Sequence, residues 1–252
     1  MSPGSGSLST REQRRHMQDD QRAKKLLAVF QPALCTELLL VRHGETLWNL
    51  EARLQGQLHT APGLNTRGRL QAQALAVALS TEHLDAIYSS DLLRCQETAL
   101  AVASARAQHL QAVLDPRLRE RHLGLLQGLT YSEAPVQQPA AWECLRDKSF
   151  DTAVLGGGES AEDVRRRVVA ALEDIAAAHP GQRVLVVAHG GVLHAIYRHT
   201  MGRPFPGKVL NGSRHVLAIQ GNKHVLRSWN DCSHLQEVGF LESSFGGTAS
   251  QG

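Results

Sequence analysis

Apolar residues fall along this chain in two rhythms. Residues 38–42 and 184–188 are short, dense runs of Leu and Val, and residues 84–88, with Leu84 and Ile87, read as a further strand. Such runs, bounded by turn residues, predict strands buried on both faces. Between them, apolar residues recur at helical spacing. Residues 64–79 predict a helix, with Asn65 or Thr66 near its start and Leu70, Ala74, Leu75 and Ala78 along it. Ser89, Ser90 and Asp91 form a run of capping residues that opens a helix carrying Arg94 and continuing through Ala103. Residues 113–118 are expected to be extended, interrupted by Pro116. Residues 131–155 are mixed, with a helix near 140–147. Gly156, Gly157 and Gly158 mark a hinge or tight loop, and Ser160 caps a long helix to Ala178. A helix follows over 192–201. Residues 215–219 and 224–229 predict a terminal hairpin around Gly221-Asn222. Strands alternating with helices imply an α/β fold, a three-layer sandwich with a mostly parallel sheet and helices on both faces.

The 252 residues suit one catalytic domain, over 36–242. Residues 1–35 read as an N-terminal extension. MSPGSGSLST is rich in Gly, Ser and Pro and expected to be disordered, and the polar stretch after it lacks amphipathic order. Residues 243–252 read as a flexible tail. The extension has the arginines of a transit peptide, but Glu12, Asp19 and Asp20 do not suit one. Cytoplasmic location is the expectation, with organelle targeting left open. Cys35, Cys95, Cys144 and Cys232 make no C-x-x-C pair, which fits reduced thiols. No apolar run approaches a membrane span. A net charge of +3, with both signs mixed along the chain, gives no footprint for nucleic acid.

Two of the predicted strands end in histidine. LLLVR runs into His43-Gly44, and VLVVA runs into His189-Gly190. In an open α/β sheet ligands bind at that edge. A nucleophilic imidazole attacking an anion needs a cation to hold the anion and a flexible backbone to let it approach. Arg42 and Gly44 flank His43 accordingly. Arg94 and Glu120 also lie next to predicted strand ends. Taken singly, each has a bland reading as a capped histidine or a solvated charge. Their joint occurrence carries the argument.

The ordered motifs resemble the histidine phosphatase superfamily, also called phosphoglycerate mutase-like. RHGETLWN is similar to its phosphohistidine motif, SSDLLRCQETA to its arginine-bearing helix, ERHLGLLQG to its acid loop and VVAHGGVLHAI to its second histidine. With LQGQLHTAPGLNTRGRLQAQ and GGGES, the resemblance covers roughly residues 37–241. It implies that His43 attacks phosphorus, splitting hydrolysis into two easier steps. It implies that Arg42, Arg94 and, if protonated, His189 hold the transferring oxygens, aided by Asn49 and the Gly190 N–H. Gly44, Glu45, Thr46, Gln55 and Gly56 would complete the phosphate site. Glu120 would protonate the leaving oxygen and then take a proton from water. His122 reads as structural.

The ending SWNDCSHLQEVGFL resembles plant-type phosphoglycerate mutase-like proteins, some of them metal-independent phosphoserine phosphatases. Mutases of the family show a lysine after the acid loop and a pair of adjacent arginines further on. Here that segment holds only Arg146 and Lys148, and Arg165-Arg166 falls in the later helix, where a solvated face is expected. The resemblance therefore implies a phosphatase acting on small anionic phosphomonoesters, phosphoserine foremost. A phosphoglycerate mutase or sugar-phosphate phosphatase is the alternative. From another class, a non-catalytic phospho-ligand module is the alternative, although such modules usually lose one of the key residues. No cofactor and no metal are expected. His189, His194 and His199 recur at five-residue steps, off the three- or four-residue spacing that places ligands on one helical face. A homodimer is left open.

Overall fold

A computed structural model describes residues 31–107 and 110–239 of the chain. Six strands form one sheet: β1 (Thr36–Arg42), β2 (Ala86–Ser89), β3 (Ala112–Leu114), β4 (Arg183–Ala188), β5 (Arg214–Gln220) and β6 (Lys223–Asp231). Their order across the sheet is β3-β2-β4-β1-β5-β6. The first four are parallel, and β5 and β6 add an antiparallel edge. The predicted hairpin is that edge. Gly221, at φ 56°, is the first of its two loop residues, where a type II′ turn requires positive φ.

The helices are α1 (Leu47–Leu50), α2 (Thr66–Leu79), α3 (Leu93–Ser104), α4 (Ala134–Gln137), α5 (Pro139–Arg146), α6 (Ala161–Ala178) and α7 (Gly190–Met201). Strand alternation divides them into two layers. Leu38 and Leu40 of β1, with Val184 and Val186 of β4, pack on Val168 and Leu172 of α6 and Leu193 and Ile196 of α7. Leu39, Val41, Leu185 and Val187 face the other way, onto Leu75 and Leu79 of α2 and Cys95 and Val102 of α3. Both faces of each strand are covered, which is why the runs are apolar at every position. Fully burying a Leu or Val side chain contributes about 1.5–3 kcal/mol, so these central strands anchor the sandwich.

Caps fix the helix starts. The Asn65 side chain accepts from Gly68 N–H at 2.8 Å, so α2 begins at Thr66. Ser160 and Asp163 form a capping box on α6. The expected extended stretch over 113–118 is instead β3 followed by one 3-10 turn, Pro116–Leu118, capped by Asp115. Proline at the start of that turn gives up a donor that the turn does not need. Of the capping run, Leu92 and not a polar residue occupies the N-cap of α3. Of the expected extension over 1–35, residues 1–30 lie outside the described residues, as does the tail over 243–252, while Pro32–Leu34 form a 3-10 turn leading into β1.

Candidate active site

β1 and β4 are parallel neighbours, and Arg42 pairs in register with Ala188. The residues that follow, His43 and His189, therefore leave the sheet side by side at its C-terminal edge. His43 N–H donates to the Ala188 carbonyl at 3.0 Å. The two rings meet edge to face with centroids 5.2 Å apart. The repeated strand-histidine pattern in the sequence is thus one site.

His43 is 2% exposed. Its Nδ1 lies 2.7 Å from the Gly44 carbonyl oxygen. A carbonyl can only accept, so Nδ1 carries the proton and Nε2 keeps its lone pair. Arg94 Nε–H points at that Nε2 from 3.3 Å, and Arg94 Nη2 donates to the Gly56 carbonyl at 2.9 Å. Burial, then Arg94 and Arg42, hold the His43 imidazole well below its ordinary pKa. The ring is neutral at physiological pH, the form that can attack phosphorus.

Arg42 and Arg94 are each 2% exposed, and among the described residues neither forms a salt bridge. Arg42 Nη1 donates to the Val209 carbonyl at 2.5 Å, while its buried Nε has no partner. Burial pushes the Arg42 guanidinium down to about 10, so it remains charged at neutral pH. Two buried cations without a carboxylate are costly to a fold unless an anion joins them. A phosphoryl dianion is such an anion, and planar guanidinium forks match its oxygens.

Glu120 enters from the loop after the Pro116–Leu118 turn. Its Oε1 accepts from Arg121 N–H at 2.8 Å and its Oε2 from Gly191 N–H at 3.0 Å. Gly191 must be glycine for this approach, because a Cβ there would sit 2.3 Å from Glu120 Oε1. Its carboxylate raises the basicity of both Arg42 and Arg94. Neutral nucleophile, two cations and one carboxylate are thus gathered at one sheet edge, the set that phosphoryl transfer requires.

A model of the histidine phosphatase superfamily (branch 1) matches residues 38–232. The chain belongs to this superfamily. It is 44% identical to a metal-independent phosphoserine phosphatase of Arabidopsis thaliana over 85% of this chain and 89% of the relative. It is 43% identical to phosphoglycerate mutase-like protein 4 of the same plant, over 86% and 94% of the two chains. Among solved structures, Bacillus stearothermophilus YhfR superposes with a TM-score of 0.73 at 33% identity, covering 80% of this chain and all of that one. The protein is a phosphatase of this α/β family.

Other residues expected in this histidine phosphatase site fall in several places. Thr46 caps α1, accepting from Asn49 N–H at 3.1 Å, and its hydroxyl also bonds Gln55 Oε1 at 3.1 Å. Asn49 Oδ1 accepts from Thr46 N–H at 3.1 Å and Asn211 Nδ2 at 3.3 Å, which fixes its amide orientation. Gly56, at φ 52°, offers its carbonyl to Arg94 and so helps to position that cation. Glu45 turns away. Its carboxylate accepts from Asn65 Nδ2 at 2.8 Å and lies 3.7 Å from Arg67 on α2. Gly44 serves close packing as much as flexibility, since a Cβ would meet the Gly68 carbonyl at 2.5 Å. Gly190 opens α7, but the N–H that reaches Glu120 belongs to Gly191.

His189 does not meet the condition for a third cation. Burial, then Arg94 and His43, hold it well below its ordinary pKa. Its Nε2 lies 2.8 Å from Ser90 Oγ and 3.4 Å from Cys95 Sγ. His122 is held within its own loop, Nδ1 accepting from Gly124 N–H at 3.2 Å. His194 and His199 diverge from His189, toward Phe205 and His224 respectively. Among the described residues no group of His, Cys, Asp and Glu could hold a metal ion, and no helix is long and apolar enough to cross a membrane.

Sequence reasoning missed Ser90, Asn211, Glu159, Arg167 and Gln57, whose Nε2 donates to the Glu120 carbonyl at 2.8 Å. Ser90 follows β2 as His43 and His189 follow β1 and β4, a signal hidden by its place in a run of capping residues. Asn211 donates to the His43 carbonyl at 3.1 Å from a loop 168 residues away, and nothing local announces it.

Proposed function

We propose that the protein hydrolyses small anionic phosphomonoesters through a phosphohistidine on His43, with phosphoserine as the preferred substrate. The observation that carries the reading is the pair of buried guanidiniums of Arg42 and Arg94, neither in a salt bridge, beside an imidazole whose Nε2 lone pair is free of a proton. In-line attack by Nε2 expels the alkoxide, and Glu120 supplies the proton. Water then attacks the phosphohistidine with Glu120 as base, returning the ring to its neutral form. The phosphoserine assignment is supported by the Arabidopsis phosphatase, 44% identical to this chain. The same reading takes the protein as a cytoplasmic enzyme that acts without nucleic acid or a metal cofactor.

The mutase-like relative, at 43% identity, favours a second reading as a phosphoglycerate mutase. Against it, Arg146 and Lys148, the cations of the segment where mutases hold their substrate's carboxylate, are both solvent-exposed. Acid-quenched enzyme incubated with labelled phosphoserine should contain acid-labile, alkali-stable phosphate, and His43→Ala should abolish both label and turnover. Near-normal turnover by His43→Ala would sink the proposal. A panel of phosphoserine, phosphoglycerates and sugar phosphates ranks the substrate class.

A further inference from the structure

We infer that Arg167 of α6 is a positioning residue that fixes where Glu120 presents its proton. The inference rests on the reading of Glu120 as general acid. Arg167 is the third of three consecutive arginines, and its neighbours behave differently. Arg165 pairs with Glu162, and Arg166 with Asp163, both within the first turns of the helix. Arg167 lies three residues from Val164 and four from Ala171, beside the buried stripe of α6. Its guanidinium therefore points toward the acid loop, not into solvent.

A guanidinium carries five N–H donors in one rigid plane. Arg167 makes five hydrogen bonds. Nε and Nη2 grip the Glu159 carboxylate at 2.7 and 2.9 Å. Nη1 donates to the carbonyls of Arg117 and Arg119 at 2.6 and 2.7 Å, and Nη2 to that of Glu120 at 3.0 Å. Glu159 holds the other side of the loop. Its Oε2 accepts from His122 N–H at 2.8 Å, and its own N–H donates to the His122 carbonyl at 2.9 Å. Backbone on both sides of Glu120 is thus tied to one ion pair. The Glu120 carboxylate itself has the Arg121 and Gly191 N–H groups as its partners. Where it sits is set by where its backbone is held. A proton donor displaced by about an ångström loses much of its effect. Lysine cannot replace this fork, because an ammonium offers a point charge without a plane.

A merely structural arginine would lower activity on every substrate alike. A residue that positions the acid matters in proportion to how much the leaving group needs a proton. Arg167→Lys, Glu159→Gln and Glu120→Gln should each be compared with the parent on phosphoserine, whose alkoxide needs protonation, and on p-nitrophenyl phosphate, whose phenolate leaves unaided. General acids contribute roughly 10²- to 10⁴-fold, so Arg167→Lys should lower kcat/KM on phosphoserine by about 10²-fold and on p-nitrophenyl phosphate by less than about 5-fold. Glu159→Gln, which keeps the carbonyl bonds of Arg167, should shift in the same direction by less. It serves if Arg167→Lys fails to fold. Equal losses on both substrates, or no loss, in a folded Arg167→Lys or Glu159→Gln protein while Glu120→Gln shows the split would overturn the inference alone. Absence of the split in Glu120→Gln would remove the acid role and the inference with it.

Discussion

Arg94 and His43 touch through the atoms that matter most to each: the guanidinium Nε–H lies 3.3 Å from the imidazole Nε2. The cation proposed to hold a phosphoryl oxygen also faces the lone pair proposed to attack. A proton on Nε2 would face Arg94 Nε–H head-on, and the Gly44 carbonyl already takes the proton on Nδ1. Burial first, then the charges of Arg94 and Arg42, lower the His43 pKa, while the bond to the Gly44 carbonyl opposes them.

That contact sets a pH dependence. The folded pKa of His43 lies well below 6.5, so the reactive neutral ring is fully present at pH 6.5 and is lost only as pH falls further. Arg94→Met removes one of the two cations that oppose protonation while burial remains. The acidic limb of kcat/KM against pH should then move upward toward 6.5, alongside a loss of roughly 10²-fold for a missing charge-stabilising donor. Both enzymes should be measured on one substrate, so that ionisation of its phosphate cancels. An acidic limb that stays in place in Arg94→Met would show that burial alone controls His43.

Because the positive charge comes from arginines and no described cluster offers a ligand set, activity should survive exhaustive chelation. Vanadate, which takes the trigonal-bipyramidal geometry of the transferring group, should inhibit competitively. Activity that vanishes with chelator and returns with Mg²⁺ or Zn²⁺ would reverse the expectation.

The catalytic strands were legible because their chemistry is local. LLLVRHG and VLVVAHGG each announce a buried strand and the residue that leaves it. Pairing His43 with His189 needed only the rule that parallel strands present the same edge. The antiparallel edge of β5 and β6 was read as a hairpin from Gly221-Asn222, since turn chemistry is also local. What failed was whatever depends on a partner far along the chain. Glu45 looked like a phosphate ligand by its place beside His43, yet Asn65 and Arg67 draw it away. Nothing in the sequence sets Arg167 apart from Arg165 and Arg166 beside it, and only the folded loop over 117–122 reveals what it holds. Whether His189 could be a third cation hung on its protonation, which its burial beside Arg94 and His43 opposes.

Buried histidines make stability depend on acid. His215 is fully buried, accepting from Asn230 N–H at 2.9 Å, and burial pulls it down to about 3. Burial, with Arg42, pulls His194 down to about 4, and its Nε2 has no partner. Both folded values lie below the ordinary 6.5. The unfolded chain therefore binds more protons between those limits. Their contribution is complete above pH 6.5 and is lost as pH falls toward 4 and then 3, at about 1.4 kcal/mol per pH unit per group. Urea unfolding at a series of pH values should show this slope. His194→Gln, which cannot titrate, should flatten it by about 1.4 kcal/mol per unit between pH 6 and 4.5. An unchanged slope in that variant would assign the acid sensitivity elsewhere.

Hydrolysis should dominate over transfer of phosphate between carbon positions. A mutase must keep its substrate bound while the substrate turns over on the phosphohistidine, and must hold a carboxylate to do so. In this chain Arg146 ends α5 facing solvent, and Lys148 is exposed beside it. The Arg165-Arg166 pair is engaged with Glu162 and Asp163. Each charge-assisted hydrogen bond missing from the carboxylate weakens the grip by about 1.5–3 kcal/mol, or roughly ten- to a hundredfold in residence. The bound product then leaves before it can reorient, and water resolves the phosphohistidine. The measurement compares phosphate release from phosphoserine with conversion of 3-phosphoglycerate to 2-phosphoglycerate, with a bisphosphoglycerate present to prime His43. Phosphate release should exceed isomerisation by at least about tenfold, the low end of that weakening. Isomerisation faster than release would establish the mutase reading. Slow release from every ester, with His43 still labelled, would keep the phosphatase chemistry and discard phosphoserine as its substrate.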